Sequence, residues 1–237
     1  MDIIHILFAN AVIAIGAIVH GSVGFGLGLI AVPVLVLLNP VFVPGPFLFI
    51  SVLLTLLMAF RERSEIDLKN AKKTLLGCIL GTIIGGFLLS SLSYDLMGFI
   101  IGAIIILAVM LSLGGLKLLL SSFNLIISGI LCGFMTTVAG LGGPPLALLY
   151  QNERGPKIRG TISFIFVVAL LMSLCTLYFV GRFGIVEVRA GLALLPGILI
   201  GFAISGRTSK ILDKGYTRRA ILLISTINSI ILIINSI

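Results

Sequence analysis

Two stretches of this chain carry residues suited to holding a ligand rather than to breaking a bond. They read His20-Gly21-Ser22-Val23-Gly24-Phe25-Gly26 and Gly140-Leu141-Gly142-Gly143-Pro144-Pro145. Glycines at this density bare the main chain, so a ligand can approach backbone N–H groups directly. An apolar run follows each stretch, and Pro144 or Pro145 suits the first position of a helix, where no N–H is needed. Helices starting there present unpaired N–H groups and the positive end of the dipole, a setting that favours an anion. The polar side chains beside the glycines are almost uncharged: His20 and Ser22 on one stretch, Thr136 and Thr137 on the other. Tight turning and close helix packing are the other use for such glycines, and both roles stay open here.

The ionisable residues narrow the chemistry. All eight acids, Asp2, Glu62, Glu65, Asp67, Asp95, Glu153, Glu187 and Asp213, stand at the ends of apolar runs or between them. That placement argues against a cation pump built on buried carboxylates and favours an anion. His5 and His20 are the only histidines and no carboxylate accompanies them within an apolar run, so no nucleophile–base pair or metal cluster marks an enzyme. His20 is the one ionisable side chain expected to reach the interior. It is suited to taking up a proton together with an anion, or, as a neutral ring, to hydrogen-bonding backbone at the break. Asn39, Gln151 and Asn152 end short apolar runs and read as caps or mouth residues. No nucleotide-binding loop and no cofactor motif occurs.

The elements that must position these residues follow from composition. Of 237 residues, 59% are hydrophobic and only 10% charged, with a mean hydropathy of +1.29. No water-soluble globule can hide that much apolar surface, so lipid is the solvent. The net charge of +8 is spread in short basic clusters between apolar runs, a pattern of cytoplasmic loops rather than of a nucleic-acid-binding surface. Cys78, Cys132 and Cys175 all lie in apolar stretches without metal or disulfide spacing and read as buried small hydrophobes. Asp2 stands where a signal peptide has basic residues, so the first run is kept as structure.

Apolar runs occupy residues 3–19, 27–38, 41–60, 74–93, 96–116, 123–139, 144–150, 161–181, 190–206 and 220–237. The second and seventh are short, and both follow a glycine break, which lipid tolerates only where protein or a wet cavity covers it. Gly24 and Gly26 recur as Gly140 and Gly142, and Gly81 and Gly85 as Gly197 and Gly201, all at an offset of 116. The fold class expected is an all-α polytopic membrane protein of two five-element repeats, residues 1–120 and 121–237, each beginning with a glycine-broken helical hairpin. If residues 3–38 and 123–150 go in and come back, fourteen of the sixteen Lys and Arg fall on one side and only Arg182 and Arg189 on the other. That asymmetry makes the repeats inverted and places both termini outside. First legs of 17 residues, roughly 25 Å long, would end inside the membrane, with the two tips meeting near mid-depth.

The chain also resembles the sulfite exporter TauE/SafE family, the toluene-sulfonate uptake permeases. The residues that carry the likeness are HGSVGFGLGLIAVPVLVLL, FRERSEIDLKNAKKTLLGCILGTIIGG and GLGGPPLALLYQN. The resemblance implies a multi-pass permease of the cell (plasma or inner) membrane that moves small sulfur-bearing anions such as sulfite or organosulfonates, commonly outward. A passive anion channel, or a carrier of another small organic anion, is the alternative. The family's motifs fall here on Gly24, Gly26, Gly28 and Pro33, and on Gly140, Gly142, Gly143, Pro144 and Pro145. Phe25 and Leu27 interrupt a glycine run that is longer in other members and are expected to narrow the cavity. The candidate binding residues are thus His20, Ser22, Gly24, Phe25, Gly26, Gly28, Thr136, Thr137, Gly140, Gly142, Gly143 and Pro144. Expected partners are a small anion, a proton as coupled ion, and membrane lipid, with no nucleic acid, cofactor or metal; a homodimer is the candidate assembly.

Overall fold

A computed structural model describes residues 3–91, 94–113 and 118–212, and every regular element among them is helical. The helices are α1 (Ile3–Val23), α2 (Leu27–Leu38), α3 (Gly45–Arg61), α4 (Leu68–Ser91), α5 (Tyr94–Leu113), α6 (Ser122–Ala139), α7 (Gly143–Tyr150), α8 (Gly155–Phe179) and α9 (Ile185–Leu212). Five of them, α1, α4, α6, α8 and α9, are long and apolar enough to cross a membrane. Helix is the required form, because lipid offers no partner to an open N–H or C=O. Local signals set the ends: the Ser121 hydroxyl caps α6 by accepting from Asn124 N at 3.2 Å, and Asp67 Oδ1 accepts from Asn70 N at 3.1 Å where α4 begins. The expected run at 220–237, with Lys214, Arg218 and Arg219, and also Lys117, lies outside the described residues.

Side-by-side contacts fix the relative directions. Asn10 meets Gly197 and Gly21 meets Ser205, so α1 and α9 are parallel. Gly45 lies against Glu187 and Arg61 against Ser205, so α3 runs the same way. Gly77 abuts Gly129 and Gly85 abuts Thr137, making α4 parallel to α6, while Gly160 at the start of α8 packs on Glu62 just past the end of α3, making these two antiparallel. Gly86 abuts Thr176 while Thr161 Oγ1 accepts from Asp67 N at 2.9 Å, so α8 runs with α4. Since α1 and α3 share one direction and α6 and α8 the other, α2 and α7 are return legs. Among the described residues, Arg61, Arg63, Lys69, Lys72, Lys73, Arg154, Lys157, Arg159 and Arg207 then gather at one end of the bundle, and Arg182 and Arg189 at the other.

Glycine lets the crossing helices approach to backbone contact. A Cβ on Gly77 would stand 2.1 Å from Ile126 O, and one on Gly81 2.0 Å from Ile130 O; on Gly197 it would stand 2.5 Å from Asn10 O, and on Gly201 2.5 Å from Ala14 O. Ile126 and Ile130 follow Asn10 and Ala14 by 116 residues, whereas Gly197 and Gly201 follow Gly77 and Gly81 by 120. In these contacts Gly197 stands as Gly77 does, at an offset of 120, and not as Gly81 does at the expected offset of 116.

Three further expectations are corrected. With 21 residues, α1 is about 31 Å long, enough for the hydrocarbon core, so the first leg of the first hairpin does not fall short, whereas α6, with 18 residues, is about 27 Å long and does. Helix continues through His20, Gly21, Ser22 and Val23, and the break is confined to Gly24–Gly26. Cys78 and Cys132 are buried as expected, but Cys175 is exposed on α8. An apolar run does not distinguish a face packed on protein from one that meets lipid.

Candidate functional site

At the first tip, Gly24 (φ 100°) and Gly26 (φ 115°) take left-handed conformations open to glycine, and α2 starts at once from Leu27. At the second, Gly140 (φ 71°) ends α6 with its N–H on Thr136 O at 2.8 Å, and Leu141 N reaches back to Met135 O at 3.1 Å. This closing pattern spends the last carbonyls of α6 before the chain turns into α7. The tips abut: a Cβ on Gly28 would lie 2.6 Å from Gly140 O, and one on Gly143 3.1 Å from Phe25 Cβ.

Between the tips is a cavity of about 30 Å³, the room of one or two water-sized groups, so an anion of four or more heavy atoms enters only where the tips part. His20, Gly26, Leu27, Gly28 and Leu29 line it from the first hairpin and Thr136, Gly140, Leu141, Gly143 and Pro144 from the second. Its remaining walls are Phe47, Ser51 and Thr55 of α3 and Phe166 and Leu170 of α8. The first-turn N–H groups of Leu27, Gly28 and Leu29 have no acceptor within their own helix. Pro144 and Pro145 carry no N–H, so the first hairpin is the richer in main-chain donors. His20 is 6% exposed, its ring rests on Phe166 with centroids 5.8 Å apart, and its Nε2 is buried without a hydrogen-bond partner.

Seven of the twelve expected residues line this cavity: His20, Gly26, Gly28, Thr136, Gly140, Gly143 and Pro144. The other five are placed around it. Ser22 donates to Ile18 O at 2.7 Å and pairs with Thr208 Oγ1 at 2.8 Å, facing α9. Thr137 donates to Gly133 O at 2.8 Å and pairs with Ser173 Oγ, also at 2.8 Å, facing α8. Gly24 packs on the Arg159 backbone, Phe25 on Gly143, and Gly142 on Thr136 and Cys132. Reading the sequence missed the contributions of α3 and α8. Phe47, Ser51 and Thr55 recur every four residues, and small hydroxyls at helical spacing in an apolar run are a signal for an inward face.

A cluster of charges closes the basic end of the first hairpin. Arg159, 6% exposed, donates through Nε to Glu62 Oε1 at 3.1 Å and through Nη1 to Ser22 O at 3.2 Å. Arg61 donates to Gly21 O and, at 3.1 Å, to Ser205 Oγ, with its Nε 3.5 Å from the same Glu62 oxygen. Cations thus meet the carbonyl end of α1, where the dipole is negative. Between α3 and α4, burial pushes the Asp67 carboxyl up, but bonds from Asn70 and the Lys157 ammonium at 3.4 Å outweigh it and hold it below the ordinary carboxylate range.

Comparison with known proteins bears on this arrangement. No curated protein and no solved structure matched the chain. The model of the family described as sulfite exporter TauE/SafE matches residues 9–232. A chain matched over almost its whole length, built of membrane-length helices around two glycine-broken hairpins, belongs to the sulfite exporter TauE/SafE family, whose members are membrane permeases for sulfite-type anions.

Proposed function

We propose that this protein is a secondary transporter, working in the export direction, that carries a small sulfur-containing anion through the cavity between the two tips. The anion is held by the first-turn amides of α2, the Thr136 hydroxyl and His20. The observation that carries this reading is the buried His20 Nε2, which has no partner and belongs to a cavity that both hairpins line. An unmet buried polar group costs free energy unless a ligand or water satisfies it. The family match supplies the sulfite-type cargo.

The reciprocal packing of α1 on α9 and of α6 on α4 supports two inverted repeats, 1–120 and 121–237. By the positive-inside rule the basic end is cytoplasmic and both termini are outside. Alternating access then consists of movement between repeats that opens the cavity to one side at a time.

The test is counterflow in proteoliposomes: vesicles loaded with unlabelled sulfite should accumulate labelled sulfite transiently against its gradient. Flux that rises ohmically with voltage and shows no counterflow would make the protein a channel instead. No flux of sulfite or any organosulfonate would remove the transport reading.

A further inference from the structure

The seam between α3 and α8 leads from the cavity to the basic end of the bundle. The two helices are antiparallel, with Arg159 Nε donating to Glu62 Oε1 at 3.1 Å. Stepping back from Glu62 along α3 gives Met58, Thr55 and Ser51, and stepping forward from Arg159 along α8 gives Ser163, Phe166 and Leu170. Steps of three and four residues keep each set on one helix face. Thr55, Ser51, Phe166 and Leu170 line the cavity. Both stripes therefore face inward, and the register sets Met58 beside Ser163 about one turn closer to the basic end. From Phe166 to Arg159 the rise along α8 is about 10 Å.

Two features of these stripes call for a ligand. Ser163 Oγ is wholly buried and has no hydrogen-bond partner, whereas Ser51 and Thr55 donate to Phe47 O at 2.7 Å and Ser51 O at 2.9 Å. A buried hydroxyl left unmet costs free energy unless a passing ligand or water meets it. Glu62 caps the carboxyl end of α3, where the dipole disfavours a negative charge. Two guanidinium groups hold it there by converging on one oxygen, since Oε1 accepts from Arg159 Nε at 3.1 Å and stands 3.5 Å from Arg61 Nε. That is the position an oxyanion's oxygen would take between the same donors. Met58, fully buried, unbranched and flexible, stands between this point and the cavity.

We infer that Arg61, Arg159 and Ser163 form a staging site on the basic-end side of the cavity for sulfite or a sulfonate, with Glu62 as its built-in competitor, a reading that rests on the cavity being the anion site. An arriving oxyanion replaces Glu62 Oε1 at the two Nε groups. The Nη1 bond from Arg159 to Ser22 O stays, as do the Arg61 bonds to Gly21 O and Ser205 Oγ. One anion replaces another, so neither guanidinium is left uncompensated in a poorly solvated place. Release of Glu62 also removes an ion pair that ties α3 to α8, so the seam loosens for the anion that released it. Met58 then moves aside, and the Ser163 hydroxyl donates to the anion on its way to Thr136 and His20.

The test follows melting of the full-length protein in detergent while sulfite replaces gluconate at constant ionic strength. Glu62→Gln should melt lower, and sulfite should restore it at a concentration at least about tenfold below that which stabilises the parent. No greater response than the parent's makes Glu62 a structural tie and overturns the staging site. Ser163→Ala removes an unmet hydroxyl, so its melting temperature should hold or rise. Its KM for sulfite counterflow in proteoliposomes should rise about tenfold with kcat kept, the lower end for a hydrogen bond to a charged group. An unchanged KM overturns the proposal, and this arm decides alone if Glu62→Gln does not fold. Thr136→Val separates staging site from cavity: a sulfite response of Glu62→Gln that survives it supports the staging site, and one lost with it belongs to the cavity and overturns the proposal. Transport indifferent to Thr136→Val removes the cavity reading and this one with it.

Discussion

Asn10 Oδ1 accepts a hydrogen bond from Gly197 N at 2.7 Å while its Nδ2 donates to Ala193 O at 2.9 Å. Those two backbone groups are each other's partners in an ideal helix, so the carboxamide reads one rung of α9 beside Pro196, whose own N–H is missing. Asn10→Leu should lower stability by about 1–2 kcal/mol, the range for a pair of interhelical bonds in lipid. Unfolding in mixed micelles measures it. No change would mean that the helical bond re-forms and the side chain adds nothing.

Arg159 joins the starts and ends of three elements through Glu62 Oε1 and Ser22 O. Arg159→Met should cost about 2–4 kcal/mol, less than leaving a fully buried carboxylate unpaired, because Glu62 is only partly buried and Arg61 still faces it. Arg159→Lys should recover only part of this, since an ammonium cannot span both acceptors as a guanidinium fork does. Thermal denaturation of the three proteins in one detergent decides it; full rescue by lysine would show that charge alone matters.

Neighbouring glycines at the second tip should separate folding from transport. A Cβ on Gly142 would stand 2.1 Å from Thr136 Oγ1 and 2.9 Å from Cys132 O, so Gly142→Ala is expected to impair folding. On Gly143 the nearest atom is Phe25 Cβ at 3.1 Å, an approach that small shifts relieve. Gly143→Ala should therefore fold and lose transport by about tenfold through crowding of the cavity, about 1.4 kcal/mol at the barrier. Gly206→Ala, which meets nothing within 4 Å, is the neutral control. Size-exclusion profiles and initial flux for each variant check the order.

Asp67 links stability to pH. Its folded pKa is depressed, so its contribution is present above the unfolded value, about 3.9, and disappears as pH falls through the lower folded one. Asp67→Ala should be destabilised by about 1 kcal/mol at neutral pH, the scale of a lost helix cap. The gap from the parent protein should close progressively below about pH 4. A difference in melting temperature that stays constant from neutral to acidic pH would assign the effect to packing.

The helices, the places of both glycine breaks and the basic asymmetry were legible in the residue string because each has a local cause. Lipid leaves the backbone no choice but helix, glycine permits reversal, and charge collects where the chain leaves the apolar phase. Helix phase was not legible. Ser22 was expected beside His20 at a break starting there, but α1 continues through Val23, and residues two apart on a helix point about 200° apart. His20 consequently faces the cavity while Ser22 bonds to Thr208 on α9. The same holds for Thr136, which lines the cavity, and Thr137, one residue on, which pairs with Ser173. The walls from α3 and α8, and the guanidinium clasp on Gly21 and Ser22, depend on which faces of separate helices meet. That is set by the fit of glycine notches against distant backbones, such as Gly28 on Gly140 and Gly77 on Ile126. Element type is a property of each segment in its solvent, whereas the shape and charge of the cavity exist only once six helices have packed together.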